Sequence, residues 1–416
     1  MKKFIALSLV GIAMSLGTSA LMAQSQGAAN GRVLVPDSTV EHPEDVGHRA
    51  HTNHLVLIPE KSPSPQGSSP TGMSPVTIRS GYNLPASPTT TNGGYGVIAI
   101  VDAYDYSTAQ KDFDTFSKQF GLPLSNATVC DGAKPCFKKV IASGGKIRAN
   151  CGWGQEAALD IEWAHAMAPY AQIVLVEAKS NSFTDLFTAV DVATNEVKCG
   201  ATSCASGSAG EGDVSMSWGG SEFSSEASND SHFSSGANIV YFASSGDTGG
   251  KTIYPSVSPD VVAAGGTTLN MSGNTFVSET GWSGSGGGPS AYEARPAFQN
   301  GIVTIVGSQR GVPDFSFDAD PNTGVSVYDS TSCQGLSGWL VFGGTSVASP
   351  SLSGIVNSAA GFRTSANELA TIYANYPGSY GVNYRDIISG TAGSYSAKSG
   401  WDFVTGVGSD LGLIGK

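Results

Sequence analysis

Along the chain, short apolar runs alternate with stretches in which apolar residues recur every three to four positions. Residues 97–101, 173–176, 214–218 and 239–243 are such runs, rich in valine and isoleucine, and they predict strands buried on both faces. Residues 107–120, 155–167 and 183–197 carry helical spacing. Strands and helices that alternate in this way predict βαβ units, hence an α/β fold of three layers with a central, mostly parallel sheet flanked by helices. Functional sites in such sheets gather at the carboxyl ends of the strands, and Asp102, Trp218 and Asp247 stand at or just after such ends.

The amino-terminal region follows another pattern. Lys2 and Lys3 precede an apolar run over residues 4–14, and small residues follow at Thr18, Ser19, Ala20 and Ala23. Residues 1–23 therefore read as a signal peptide cleaved after Ala20 or Ala23, which predicts export to the extracellular space or the periplasm. No later apolar stretch is long enough for a membrane span, so no membrane association is expected after cleavage. Residues 24–74 read as a short amino-terminal pro-segment and linker. They hold His42, His48, His51 and His54, then the apolar run 55–58, then a Pro/Ser/Gly-rich stretch from Ser62 to about Ser74. The catalytic domain is expected over residues 75–416.

Composition narrows the functional classes. The 416 residues are 40% hydrophobic and only 13% charged, which suits one large domain with a sizeable core. A formal charge of −12 without any basic stripe argues against a nucleic-acid partner, and few lysines beside many carboxyls fit an acidic medium. All six cysteines lie downstream of residue 23, and an even number in an exported chain favours disulfides. Short loops favour Cys130 with Cys136 and Cys199 with Cys204, leaving Cys151 and Cys333, but six cysteines allow fifteen connectivities and the sequence does not choose.

The chemistry centres on Gly343-Gly344-Thr345-Ser346-Val347-Ala348-Ser349-Pro350. Two glycines permit a sharp turn and close approach of a substrate, and Ala348, Leu352 and Gly354 allow the following helix to pack tightly beneath Ser346. This predicts a nucleophile lifted into a cleft, where a plain helix cap is the simpler reading. In residues 155–167, Glu156 and Asp160 are four apart and share one helical face, a stripe that continues through Trp163, Ala164 and Met167. Glu162 and His165 point elsewhere. Two like charges about 4 Å apart repel by roughly 4 kcal/mol at an effective dielectric of about 20, so one of the pair should retain its proton well above the usual carboxyl range. Such a pair can take a proton from serine in acid, where a histidine is already charged. No histidine is followed by glycine, and His165 is expected on a helix surface and His232 in a loop.

Taken together, Gln155-Glu156-x-x-Leu159-Asp160, Ser217-Trp218-Gly219, Ser245-Gly246-Asp247-Thr248-Gly249 and Gly344-Thr345-Ser346 resemble the sedolisin family of serine-carboxyl peptidases, in order, over about residues 75–412. The resemblance implies a subtilisin-like fold and peptide-bond hydrolysis in acid. It implies Ser346 as nucleophile, Glu156 as general base, Asp160 as its tuning partner, and Asp247 in the oxyanion hole, where a protonated acid can donate a hydrogen bond. Asp102 matches an acidic position behind the acid pair, and Trp218 the end of such a chain. Ser217, Gly219, Ser245 and Gly246 would line an extended peptide. The run from Asp386-Ile387 to Lys398-Ser399-Gly400-Trp401-Asp402 resembles the family's calcium loop: one structural Ca2+ held by Asp386 and Asp402 and by the carbonyls of Ile387, Lys398 and Gly400. The family often has glycine where Lys398 stands, but a carbonyl ligand does not depend on the side chain. The expected partners are polypeptide substrates, and the expected state is a monomer.

One departure stands out. Members of the family usually carry a long prodomain, whereas only residues 24–74 separate the signal from Pro75. Either the chain folds without that aid or the histidine-bearing segment is a reduced propeptide. Two other functions compete: a histidine-dependent serine hydrolase on the same fold using His165 or His232, and a catalytically silent secreted binding protein.

Overall fold

The computed structural model describes residues 27–28, 31–59, 66–67, 69–130, 134–199, 211–234, 238–361 and 363–416. The expected signal peptide lies outside the described residues, as do much of the linker and Cys204. In chain order the elements that position the site begin with β1 (Gly31–Leu34), β2 (His51–Thr52), β3 (Leu55–Pro59) and α1 (Pro75–Gly81). Next come β4 (Val97–Ala103), α2 (Ala109–Phe120), β5 (Phe137–Ile141), α3 (Cys151–Met167), β6 (Gln172–Ala178) and α4 (Phe183–Cys199). The second half supplies β7 (Glu211–Met216), β8 (Trp218–Ser221), β9 (Asn238–Ser244), β10 (Val262–Ser272), β11 (Phe315–Asp318), β12 (Val325–Cys333), β13 (Leu336–Gly343) and α5 (Thr345–Ser358).

The central sheet runs β5-β6-β4-β7-β9-β10-β11 with all neighbours parallel. Every residue of β4 and β6 is buried, as their uninterrupted apolar runs require of strands covered on both faces. Alternation then divides the core. Ile98, Ile100, Ile173 and Leu175 pack on the face covered by α2, α3 and α5, whereas Val97, Ala99, Val101, Val174 and Val176 face α4. The run expected as a single strand over residues 214–218 is broken at Ser217. Trp218 therefore opens β8 and does not end β7, and β8 leaves the sheet to pair antiparallel with β2.

Helix α3 starts at Asn150, whose side chain accepts from the Trp153 N–H. From Gly152 to Met167 every residue is buried. His165 is therefore no surface residue. Its Nε2 lies 2.9 Å from the Pro123 carbonyl, and its ring packs on Phe113. His232 sits in a 3-10 turn (Glu226–Phe233), not in an irregular loop, with Nδ1 2.8 Å from Asp191.

Helix α5 crosses α3 closely at Gly354, where a Cβ would come within 2.7 Å of the Met167 Cβ. Its polar side chains bind the sheet: Ser349 Oγ lies 2.9 Å from Ser215 Oγ, and Asn357 donates to Asp213 at 2.8 Å. Disulfides join Cys130 to Cys136 and Cys151 to Cys333, the latter tying the start of α3 to the end of β12.

The amino-terminal strands are built into this body. β3 pairs antiparallel with β13 and with β1, and β2 pairs antiparallel with β8.

Candidate active site

Ser346 stands in the first turn of α5, fully buried, behind Gly344 at φ +96°. A side chain at Gly344 would be strained by that φ and would come within 2.2 Å of the Asn53 carbonyl oxygen and 2.5 Å of Asp247 Oδ2. Ser346 Oγ donates to the Ser217 carbonyl at 3.2 Å, and its backbone N–H donates to the Asn53 carbonyl at 3.0 Å. One turn on, Pro350 has no N–H for the Ser346 carbonyl. Ser217 Oγ fills that position, 3.4 Å from the Ser346 carbonyl and 2.8 Å from Asp160 Oδ1.

The carboxyl groups expected in the site converge from three elements. Glu156 and Asp160 come from α3 and are fully buried. Glu156 Oε2 accepts from His54 Nδ1 at 2.9 Å and from the Asn53 N–H at 3.2 Å, whereas Oε1 is buried without a partner among the described residues. Asp160 Oδ2 and both oxygens of Asp102, on β4, are likewise buried and unpartnered. Burial, with the charges of Asp102 and Glu156 beside it, holds the Asp160 carboxyl well above the usual range. Asp102 is raised by burial first and then by Glu156 and Glu177. The shift at Asp160 has the direction expected for one member of the acid pair. The larger cause is burial, and Asp102 adds a third carboxyl to the cluster.

Asp247 follows β9. Its Oδ1 accepts from the Thr345 N–H at 2.7 Å and from Thr345 Oγ1 at 2.8 Å, while Oδ2 is buried without a partner. Burial pushes this carboxyl up to about 8, so it is a hydrogen-bond donor in acid. Trp218 is buried with Nε1 donating to the Val101 carbonyl at 2.8 Å, so its indole meets backbone beside Asp102 and no carboxylate.

Residues 51–55 lie along the expected substrate walls. Gly219 pairs with His51, and the Ser217 carbonyl accepts from the Asn53 N–H at 3.3 Å. Ser244 Oγ accepts from Asn53 Nδ2 at 2.7 Å. Ser244 thus meets the segment just before Ser245 and Gly246, whose N–H groups bond to the Ala264 carbonyl and Thr345 Oγ1. Asn53 and His54 were missed as site residues. The only local signal was the apolar run 55–58, the pairing partner of β13.

At the carboxyl end, Asp386 accepts from the Ser399 hydroxyl and the Gly400 N–H at 2.8 and 3.1 Å. Asp402 accepts from the N–H groups of Lys398, Val404 and Thr405 at 2.8–2.9 Å. Neither carboxyl group has an ion-pair partner among the described residues, and burial first, then the charges of Asp386 and Asp402, raise the Tyr380 hydroxyl. Both carboxyl groups thus close on residues 398–400, where each contact is to an N–H or hydroxyl donor. No group of three or more His, Cys, Asp or Glu side chains that could hold a metal occurs among the described residues.

No family model matches the sequence. Sedolisin from Pseudomonas sp. (strain 101) is 34% identical over 173 residues, 38% of this chain and 28% of that protein. Xanthomonalisin from Xanthomonas sp. (strain T-22) is 32% identical over 190 residues, 38% of this chain and 21% of that protein. Kumamolisin from Bacillus sp. (strain MN-32) is 27% identical over 389 residues, 84% of this chain and 64% of that protein. The chain thus spans less than two thirds of the length of each of these relatives. Among solved structures, Pseudomonas sedolisin, a serine-carboxyl proteinase complexed with two molecules of pseudo-iodotyrostatin, superposes with a TM-score of 0.65 at 25% identity, over 82% of this chain and 96% of that one. With a parallel sheet, a serine at the head of a small-residue helix and buried carboxyls beside it, the chain is similar to members of the sedolisin family in sequence and in fold.

Proposed function

We propose that this chain is a secreted serine-carboxyl endopeptidase that hydrolyses peptide bonds of polypeptide substrates at acidic pH, acting as a monomer. The observation that carries the reading is the convergence of the Ser346 N–H, Asp247 Oδ2 and Glu156 on one carbonyl-bearing segment. In this reading Ser346 Oγ attacks the substrate carbonyl carbon while Glu156 takes its proton. The oxyanion is held by the Ser346 N–H and the protonated Asp247. Glu156 then returns the proton to the leaving amine, and water releases the acyl group by the same path in reverse. Asp160, and Asp102 behind it, keep protons that orient and neutralise the cluster around Glu156. Ser217, Gly219, Ser245 and Gly246 form the walls for an extended peptide, with Trp218 packing beneath.

Residues 24–74 are the pro-segment of this enzyme. Asp386 and Asp402, with the carbonyls of Ile387, Lys398 and Gly400, would hold one Ca2+, whose chemistry is to neutralise the two carboxylates and brace the loop.

Digestion of a denatured protein between pH 3 and 7 tests the reading. Turnover is expected for the natural chain in the acid range, none for Ser346→Ala, and a sharp loss for Glu156→Gln. Full activity in Glu156→Gln would remove Glu156 as base. A histidine-dependent mechanism has one observation in its favour, the 2.9 Å contact of His54 Nδ1 with Glu156. Retention of turnover in His54→Ala would exclude it.

A further inference from the structure

Asp102 has a companion on the next strand. It is the one ionisable residue of β4, as Glu177 is of β6, and the two are partners in the parallel register. Alternation sets both toward α3, because Ile98, Ile100, Ile173 and Leu175 precede them on that face. Both are fully buried. A buried carboxylate is costly unless a counter-charge and donors hold it, and Glu177 has both. Its Oε1 accepts from the Tyr106 N–H at 2.7 Å and from Lys139 Nζ, which reaches across from β5, at 3.0 Å. Lys139 donates as well to Asp105 Oδ1 at 2.6 Å and to the Tyr106 carbonyl at 3.1 Å, and 27% of its side chain stays exposed. Glu177 Oε2 and both Asp102 oxygens are buried with no hydrogen-bond partner among the described residues. The row runs inward from solvent at Lys139, through Glu177 and Asp102, to Asp160 and Glu156. α3 faces Asp102 with Glu156 and Asp160, while Lys139 and Asp105 face Glu177. The Tyr106 hydroxyl turns to Asp112 and Asp329. Burial opposes the Lys139 charge, but Asp105 and Glu177 more than offset it, so the ammonium persists. Burial raises Glu177 against the pull of the Tyr106 N–H and Lys139. At Asp102 the charges of Glu156 and Glu177 add to the effect of burial.

We propose that Glu177, clamped by Lys139, is a positioning residue of the peptidase site that acts through Asp102 on the Glu156–Asp160 pair. The inference rests on the peptidase reading above and extends it to two side chains outside the serine and acid motifs. Neighbouring strands lie about 4.8 Å apart, so an anion at Glu177 disfavours a second one at Asp102. Asp102 then keeps its proton and stays neutral. An ionised Asp102 would compete with Glu156 for the negative charge that this buried cluster can hold. With that competitor silenced, the charge rests on Glu156, where it can take the serine's proton. As the pH rises Glu177 ionises first, because Lys139 and the Tyr106 N–H favour its charged form and no such partner serves Asp102. The guard therefore strengthens toward the alkaline end of the working range.

The test titrates the full chain from pH 3 to 9 by infrared spectroscopy, following the carbonyl band of protonated carboxyl groups; the Asp102 contribution is the one lost in Asp102→Asn. Glu177→Gln, which keeps an oxygen for the Tyr106 N–H and Lys139, should lower the Asp102 midpoint by about 1 pH unit. Glu177→Met, which removes the charge without an unpaired polar atom, should do the same and serves if the glutamine variant does not fold. The alkaline limb of kcat, measured in the natural chain and on an Asp247→Asn background, should fall with the midpoint while KM stays in place. Asp102→Asn should gain no further shift from Glu177→Gln. An Asp102 midpoint that does not move, or one that moves while the kcat profile stays fixed, overturns this inference and leaves the peptidase reading standing. A limb that shifts equally with Asp102→Asn present overturns the route through Asp102. A natural chain without turnover at any pH overturns the peptidase reading, and with it the positioning role, whatever the band does.

Discussion

Ser346 is held by groups that each perform more than one task, and this sets what single substitutions should do. Its backbone N–H points at a carbonyl, its hydroxyl at Ser217, and its own carbonyl, deprived of a helical partner by Pro350, faces Ser217 Oγ. Asp247 is anchored through Oδ1 on Thr345, which in the proposed mechanism leaves Oδ2 for the reacting oxygen. As a neutral acid below about 8 it donates; above that value it is an anion facing an anion. Asp247→Asn should therefore keep turnover and extend the alkaline limb of the pH–rate profile, because an amide donates at every pH. Asp247→Ala should lower kcat by about 10²–10³-fold, the usual loss for one oxyanion donor. Steady-state rates from pH 4 to 9 check both, and an Asp247→Asn profile identical to the natural one would remove Asp247 from that role.

At the scale of elements, β4, β6 and α5 were legible because each carries a strong local pattern: unbroken apolar runs, or small residues behind a glycine turn. Helix α3 was legible in extent but not in its surroundings. Buried on every side, it has no polar face for periodicity to detect, so His165 read as solvent-facing although it packs on Phe113. The acid pair followed from its i, i+4 spacing, whereas its neighbours Asn53 and His54 lie 103 and 102 residues away in sequence and are brought in by strand pairing alone. That pairing depends on β8 and β13, which no local pattern links to the amino terminus. The Cys151–Cys333 disulfide spans 182 residues between the start of α3 and the end of β12. Replacing both cysteines by serine should destabilise the fold by about 2–5 kcal/mol, read as a lower denaturant midpoint with a steeper slope, because the unfolded chain without the cross-link exposes more surface. An unchanged midpoint would show that packing alone fixes α3.

Over the whole molecule, buried carboxyls set the response to pH. Burial raises Glu226 to about 9, Asp247 to about 8, Asp329, Glu293 and Glu368 to about 7, and Asp410 to about 6. Between about pH 4 and those values the folded chain binds more protons than the unfolded chain, so stability rises as pH falls. His165 acts in the opposite sense: burial lowers it to about 4, so its neutral form resists protonation and costs stability as pH drops from about 6.5. The carboxyls are the more numerous, and Tm should be higher at pH 5 than at pH 8. A calorimetric series with the reverse order would contradict the protonation states assigned to them. The arrangement of β1, β2 and β3 carries one more consequence. β1 precedes the Asn53–His54 bond, β3 follows it, and the two are hydrogen-bonded neighbours, while every cysteine lies beyond residue 54. A chain nicked there by any protease would therefore migrate as one particle on native electrophoresis and fall into two pieces in detergent without any reductant, because strand pairing and no covalent link would hold the first 53 residues in place.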